Sequence, residues 1–234
     1  MVRRTTPLLV ALALALALVA PAAAARPNVA TLIGVDEIRM AARPGPATAN
    51  CSNDGAGTNQ YALTGWAVAS GGQTAYLTTS TIPSGLGSAS AVQSAMQASF
   101  NAWTGAPKIS VTTGGTVTKY TANHRYELLF GRTGGSSIAV TYTWSWTDGT
   151  IESDTVFNNR LPWFMATSES DGCYEAIAKY DLRNIATHEF GHTYGLDHAT
   201  SDRFETMYPY GYTGETLKWS PESGDTAGIT AIYH

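Results

Sequence analysis

One segment of eleven residues constrains this chain more than any other part of its sequence. It reads His188-Glu189-Phe190-Gly191-His192-Thr193-Tyr194-Gly195-Leu196-Asp197-His198. Because residues four apart lie one above the other on a helix, His188 and His192 can bind one metal ion together. Gly195 tolerates a sharp backbone turn, which would bring His198 back as a third ligand. Three neutral imidazoles leave a fourth position for water, so the segment predicts a single catalytic Zn²⁺.

Glu189 is the other residue of this segment with a predicted chemical role. It lies about 100° around the helix from His188, where its carboxylate can contact water at the metal without binding the ion. A purely structural zinc site has no use for such a carboxylate. The sequence therefore predicts Glu189 as the general base of a hydrolase that uses zinc-activated water. The alternative is a secreted zinc-binding module without turnover.

The segment is similar to the signature of the metzincin zinc proteases, and within them to the matrixin branch. A second element of that family, a methionine turn, is present as Glu205-Thr206-Met207-Tyr208-Pro209-Tyr210. The resemblance implies that Met207 lies beneath the zinc-binding histidines as a hydrophobic base. Pro209 stands where astacins and serralysins carry a tyrosine ligand, which favours the matrixin branch.

The same resemblance implies a zinc-dependent endopeptidase that acts on proteins or peptides. Its substrate would lie extended along an edge strand near residues 138–144, and the loop 208–219 would shape the pocket beside the cleaved bond. The candidate substrate-binding residues are Ile138, Ala139, Val140, Tyr208, Pro209 and Tyr210.

Two features of the matrixins of animals are missing from this sequence. Their second, structural zinc requires three histidines and an aspartate before the active-site helix, and His124 is the only histidine there. Their long propeptide with its cysteine switch is also absent. We therefore expect a single zinc ion, and we expect His124 to be a surface or loop residue.

A Ca²⁺ site is possible around a predicted turn. Asp148, Glu152 and Asp154 cluster there, and calcium prefers several oxygen ligands. A solvated hairpin end explains the same carboxylates and is the interpretation that we favour, because so few of them are present.

The periodicity of apolar residues predicts an α+β fold of the metzincin type, with a mixed twisted sheet, an active-site helix and a C-terminal helix. Alternating residues predict strands, and Asp148-Gly149 predicts a hairpin turn between two of them. Val92, Met96 and Phe100 recur at helical spacing after a capping serine. The predicted strands are 73–81, 108–113, 125–130, 137–146 and 151–157, and the predicted helices are 88–103, 181–195 and 221–233.

The N-terminus carries the pattern of a signal peptide over residues 1–25. A basic pair, an apolar stretch over 8–20 and a small-residue cleavage pattern follow one another. A membrane anchor is the alternative, although the apolar stretch is short. We expect residues 26–58 to be a linker or short propeptide, ordered structure to begin near Tyr61, and the catalytic domain to span 59–234.

Cys51 and Cys173 are the two cysteines of the chain. In an oxidising compartment an isolated pair favours a disulfide bond, while an inhibitory Cys51 thiolate on the zinc is the alternative. The net charge of −4 gives no reason to expect nucleic acid or membrane binding once the signal is removed. The many aromatic residues leave open a carbohydrate-binding or inhibitory protein. We expect a secreted, extracellular monomer.

Overall fold

The computed structural model describes residues 27–41, 59–169, 172–174 and 177–234. Its strands are β1 (Ala30–Met40), β2 (Ala62–Leu63), β3 (Gln73–Leu77), β4 (Ile109–Thr113), β5 (Tyr126–Gly131), β6 (Ser137–Trp146), β7 (Ile151–Asn158), β8 (Trp163–Phe164), β9 (Tyr180–Asp181), β10 (Leu196–Asp197) and β11 (Tyr210–Gly211). Its α-helices are α1 (Ala89–Ala102), α2 (Leu182–Thr193) and α3 (Ser223–Tyr233). The predicted α+β class with a mixed sheet is confirmed.

A seven-stranded sheet forms the body of the fold, in the order β11-β1-β6-β7-β5-β3-β4. The strands β3, β4, β5 and β7 run parallel, and β6 is antiparallel to β7 through the predicted Asp148-Gly149 hairpin. Every residue of β5 is buried, as expected for a parallel strand that is covered on both faces. Short strands pair separately as β2 with β10 and β8 with β9.

Helix α1 packs against α2 and positions it over the sheet. The Ser88 hydroxyl caps α1 by accepting the Ala91 N–H at 3.2 Å, which confirms the predicted start. The rings of Phe100 and Phe190 stack with centroids 3.6 Å apart, and the Trp103 indole donates to the Thr187 carbonyl at 2.9 Å. These contacts hold α2 from the side opposite its histidines.

Several boundaries differ from the sequence prediction, and α2 spans Leu182–Thr193 rather than 181–195. The strand predicted over 73–81 ends at Leu77, and a single 3-10 turn follows at Thr79–Thr81. The last helix begins at Ser223 rather than 221, because the Asp225 carboxylate accepts the Glu222 N–H at 3.0 Å. Among the described helices, none is both long and apolar enough to cross a membrane.

The N-terminal segment changes the architecture most. Residues 30–40 form β1 between β6 and β11, so the expectation that ordered structure begins near Tyr61 is wrong. Backbone hydrogen bonds to two neighbouring strands order a segment whose side chains carry no periodic signal. As a result β6 is not a free edge strand. The predicted signal peptide and Cys51 lie outside the described residues.

Candidate metal centre

The three predicted histidine ligands converge. The Nε2 atoms of His188 and His198 each lie 3.2 Å from that of His192. Possible ligand atoms of all three lie within 4.8 Å of one another, and this is the only such group in the described part of the chain. His188 and His192 are fully buried on α2.

Gly195 explains how His198 reaches the other two. It follows the end of α2 with φ +97°, a conformation that side chains disfavour. A Cβ atom there would also collide with the backbone oxygen of Trp66. The chain can therefore turn sharply at Gly195 and pass through β10, which pairs with β2 and leads to His198.

Two backbone carbonyls orient the imidazoles. His188 Nδ1 lies 2.6 Å from the Thr206 oxygen, and His192 Nδ1 lies 2.9 Å from the Leu196 oxygen. A proton on each Nδ1 donates to its carbonyl and leaves the Nε2 lone pair for a metal. Burial lowers the pKa of His188 and lowers those of His192 and His198 to about 4. Three neutral nitrogen donors of this kind fit a zinc ion.

Glu189 is fully buried beside these histidines. Its Oε2 accepts the Thr141 hydroxyl at 2.6 Å, and its Oε1 accepts the Ile38 N–H at 3.1 Å. Burial raises the pKa of Glu189 to about 8, while both hydrogen bonds act in the opposite direction. A nearby cation would favour the charged carboxylate. The carboxylate is thus held at a defined position, and its pKa lies above the ordinary value of a glutamate.

Met207 packs against α2, the helix that carries His188 and His192. A side chain at Gly191, between the two helical histidines, would collide with the Met207 sulfur. The methionine turn is held from α3, since the Asp225 carboxylate accepts the N–H groups of Thr206 at 2.6 Å and Met207 at 3.1 Å. Thr206 in turn accepts from His188, so Asp225 supports a ligand through one intervening residue.

The predicted substrate-binding residues lie on both sides of β1. Ala139 and Val140 pair with Ile38 and Glu37, and Ile138 is buried on the same strand. The Pro209 carbonyl accepts the Arg39 N–H at 2.9 Å. Tyr210 is paired with Arg39, and the rings of Tyr208 and Tyr210 lie 5.6 Å apart. β1 thus lies where the substrate strand was expected.

The three carboxylates considered for a Ca²⁺ site accept hydrogen bonds from the protein, and Glu152 and Asp154 are buried, so the favoured interpretation as a solvated hairpin end is right only for the exposed Asp148. Glu152 accepts the N–H groups of Asn123 and His124 at 2.8 and 2.6 Å, and Asp154 accepts that of Thr121 at 2.8 Å. Asp148 accepts both the N–H and the hydroxyl of Thr150. These bonds hold the loop before β5 and the hairpin end. His124 is exposed, as predicted, and stacks on Trp146.

Sequence reasoning missed four residues that complete the site, namely Ile38, Thr141, Thr206 and Asp225. Thr141 stands 48 residues before Glu189, and Asp225 stands 19 residues after Thr206. Thr206 is part of the methionine turn, but it contacts His188 through its backbone carbonyl, and the residue type does not reveal a backbone contact. The backbone of Cys173 pairs with that of Glu215 in an isolated antiparallel β-bridge.

Comparison with known proteins agrees with this geometry. A family model described as Matrixin matches residues 73–234, which are 162 of the 234 residues. Human neutrophil collagenase is 46% identical over 56 residues, which cover 24% of this chain and 12% of that protein. The hatching enzyme of Paracentrotus lividus is 43% identical over 53 residues, 23% of this chain and 9% of that protein. Human matrix metalloproteinase-16 is 34% identical over 83 residues, which cover 36% of this chain and 12% of that protein. These matches span only about a tenth of each relative.

Proposed function

The chain belongs to the matrixin family, and on that premise we propose that it is a zinc-dependent endopeptidase with Glu189 as its general base. One observation carries the proposal. Three imidazole Nε2 atoms converge beside a fully buried carboxylate, and that carboxylate already accepts a hydrogen bond from a peptide N–H. A site with only a structural metal has no need of the carboxylate.

In this mechanism His188, His192 and His198 would hold the ion through Nε2. When bound, zinc would polarise the scissile carbonyl and lower the pKa of water. Glu189 takes the proton from the attacking water and delivers it to the leaving nitrogen. The Thr141 hydroxyl keeps one oxygen of Glu189 fixed at 2.6 Å, which leaves Oε1 to face the peptide.

The space between β6 and β11, here called the cleft, suits an extended peptide as substrate. A strand inserted between β6 and β11 finds main-chain partners on both sides, which is recognition by strand addition. Main-chain bonds do not depend on side chains, so selectivity would come from the pocket beside Tyr208, Pro209 and Tyr210.

Metal analysis and casein hydrolysis, with and without a chelator, test the proposal. We expect one zinc per chain, cleavage that the chelator abolishes, and recovery on adding zinc. Glu189→Ala should keep its zinc but lose at least about 100-fold in rate. Asp148→Asn, which removes an exposed carboxylate at the hairpin end, is the control and should cleave normally. Stoichiometric zinc without cleavage by any form would support the zinc-binding module instead.

We further propose that residues 1–25 are a signal peptide, that the chain is secreted as a monomer, and that Cys51 and Cys173 form a disulfide. Thiol labelling of the secreted protein under denaturing conditions should find no free thiol. Size-exclusion chromatography with light scattering should give the mass of one chain. Labelling of both cysteines would overturn the disulfide.

A further inference from the structure

β1 has the position of a bound peptide. It is antiparallel to β6 and parallel to β11, and it lies between the two elements that the proposed function assigns to substrate. Beyond Ile38 its main chain is fixed in register, because Arg39 donates to Pro209 at 2.9 Å, Met40 to Ser136 at 2.8 Å and Ala41 to Gly211 at 3.1 Å. The chain therefore fills its own cleft.

One peptide bond of β1 is aligned with the general base. Glu189 Oε1 lies 3.1 Å from the Ile38 nitrogen, within the distance that proton delivery to a leaving amine requires. The pairing of β1 with β6 is also irregular between Ile38 and Arg39, immediately after this bond. The Glu37–Ile38 bond is therefore the peptide bond of β1 to whose nitrogen Glu189 can deliver a proton.

The side chains of Glu37 and Ile38 hold the bond between them next to Glu189. Ile38 is fully buried in the apolar group that includes Ile138 and Ile185, where it acts as an anchor. Glu37 is hydrogen-bonded to the Ser137 hydroxyl and to Arg39. A slip by one residue would put a charged side chain into the apolar pocket, so the register is strongly specified.

Asp36 links this strand to the metal centre. Its Oδ2 is buried and has no hydrogen-bond partner in the described part of the chain. The carboxylate lies close enough to His198 for their charges to interact. A buried carboxylate without a partner is unfavourable unless a cation lies nearby. Metal binding should therefore tighten the hold on β1.

We propose that the protein is its own first substrate and hydrolyses the Glu37–Ile38 peptide bond, which detaches the part of β1 before Ile38 and uncovers the part of β6 that is paired with it. Water adds its oxygen to the Glu37 carbonyl carbon, and its proton passes through Glu189 to the Ile38 nitrogen as the carbon–nitrogen bond breaks. The second proton of the water passes from the new acid to the amine, so the products are an α-carboxylate at Glu37 and an α-ammonium group at Ile38. The inference rests on the proposed endopeptidase activity.

Mass spectrometry of the purified full chain, incubated with zinc, tests the cleavage site. We expect a product that begins Ile38-Arg39-Met40-Ala41, and no such product from Glu189→Ala. Ile38→Asp should slow the cut at least about tenfold, because its charge would enter an apolar pocket. Val35→Asp is the matched control on the same strand, since Val35 is 54% exposed, and it should be cut at the wild-type rate. Circular dichroism checks that both variants fold, and the milder Ile38→Val should still be cut.

A second measurement does not depend on activity. Hydrogen exchange of residues 30–40 in Glu189→Ala should be slow with zinc bound and faster with a chelator. Casein cleavage with an intact Glu37–Ile38 bond, or a cut elsewhere in β1, would overturn the inference and leave the proposed function standing. If the chain binds zinc but cleaves neither casein nor its own Glu37–Ile38 bond, the proposed function itself is refuted. Unprotected β1 amides with zinc bound would also overturn the inference.

Discussion

Replacing Gly195 by alanine tests how the third histidine reaches the other two. Gly195 has φ +97°, and a Cβ there would lie closer than 3.0 Å to the Trp66 backbone oxygen. Forcing alanine into this backbone region costs about 1 to 2 kcal/mol. The collision with a backbone atom adds about 1 to 3 kcal/mol, as overpacking usually does. We therefore expect a loss of about 2 to 5 kcal/mol in the free energy of unfolding.

Gly149→Ala is the matched control, because Gly149 has φ +87° and no atom within 4 Å of its Cβ position. It should show only the backbone cost of about 1 to 2 kcal/mol. Urea unfolding of both variants, metal-free and in the Glu189→Ala background to prevent proteolysis, gives the comparison.

The two variants should differ still more in zinc binding. Any shift of the chain at Gly195 moves His198, so the zinc affinity of Gly195→Ala should fall at least about tenfold. Gly149→Ala should bind zinc like the parent, as measured by competition with a chelating dye. Equal stability of the two variants and unchanged zinc affinity would refute the role of Gly195.

Three further predictions concern the groups around the metal. Thr141→Val removes the hydroxyl that donates to Glu189, and since that bond lowers the pKa of Glu189, the acidic limb of the pH–rate profile should move to higher pH. An unmoved limb would contradict this role. Asp225→Asn should reduce zinc affinity about 10- to 100-fold, because the turn that fixes His188 loses one of the two oxygens that accept its N–H groups and faces an NH2 donor in its place; an unchanged zinc titration would refute this. Relative to a His192→Leu/His198→Leu variant, the metal-free protein should lose stability as the pH falls from 6.5 to about 4, because His192 and His198 bind protons in the unfolded chain before they do so in the folded one. The comparison cancels the opposite effect of buried carboxyls with raised pKa values, such as Glu189 and Asp154. A difference in urea midpoint that does not change across this range would contradict the prediction.

The parts of the fold that the sequence predicts well are those recorded in side-chain periodicity. Helix α1 is marked by Ser88, Val92, Met96 and Phe100, and the structure buries the last three on one face. The histidine cluster is also predictable, since one turn of α2 separates two ligands and Gly195 permits the third. Contacts made through the backbone leave no such record. The Thr206 carbonyl and the strand β1 were missed for this reason.

β1 shows most clearly why a local pattern was insufficient. Composition left residues 26–58 as either a linker or a propeptide, and neither description required contact with the catalytic site. The structure places the Ile38 nitrogen of this segment 3.1 Å from the Oε1 oxygen of the Glu189 carboxylate, a contact that composition alone does not predict. While β1 holds that oxygen and covers β6, another peptide cannot pair with the same backbone groups. The strand predicted to receive substrate and the segment predicted as a linker or short propeptide thus pair with each other, and under the proposal above cleavage of the Glu37–Ile38 bond would release the part of β1 before Ile38 from β6.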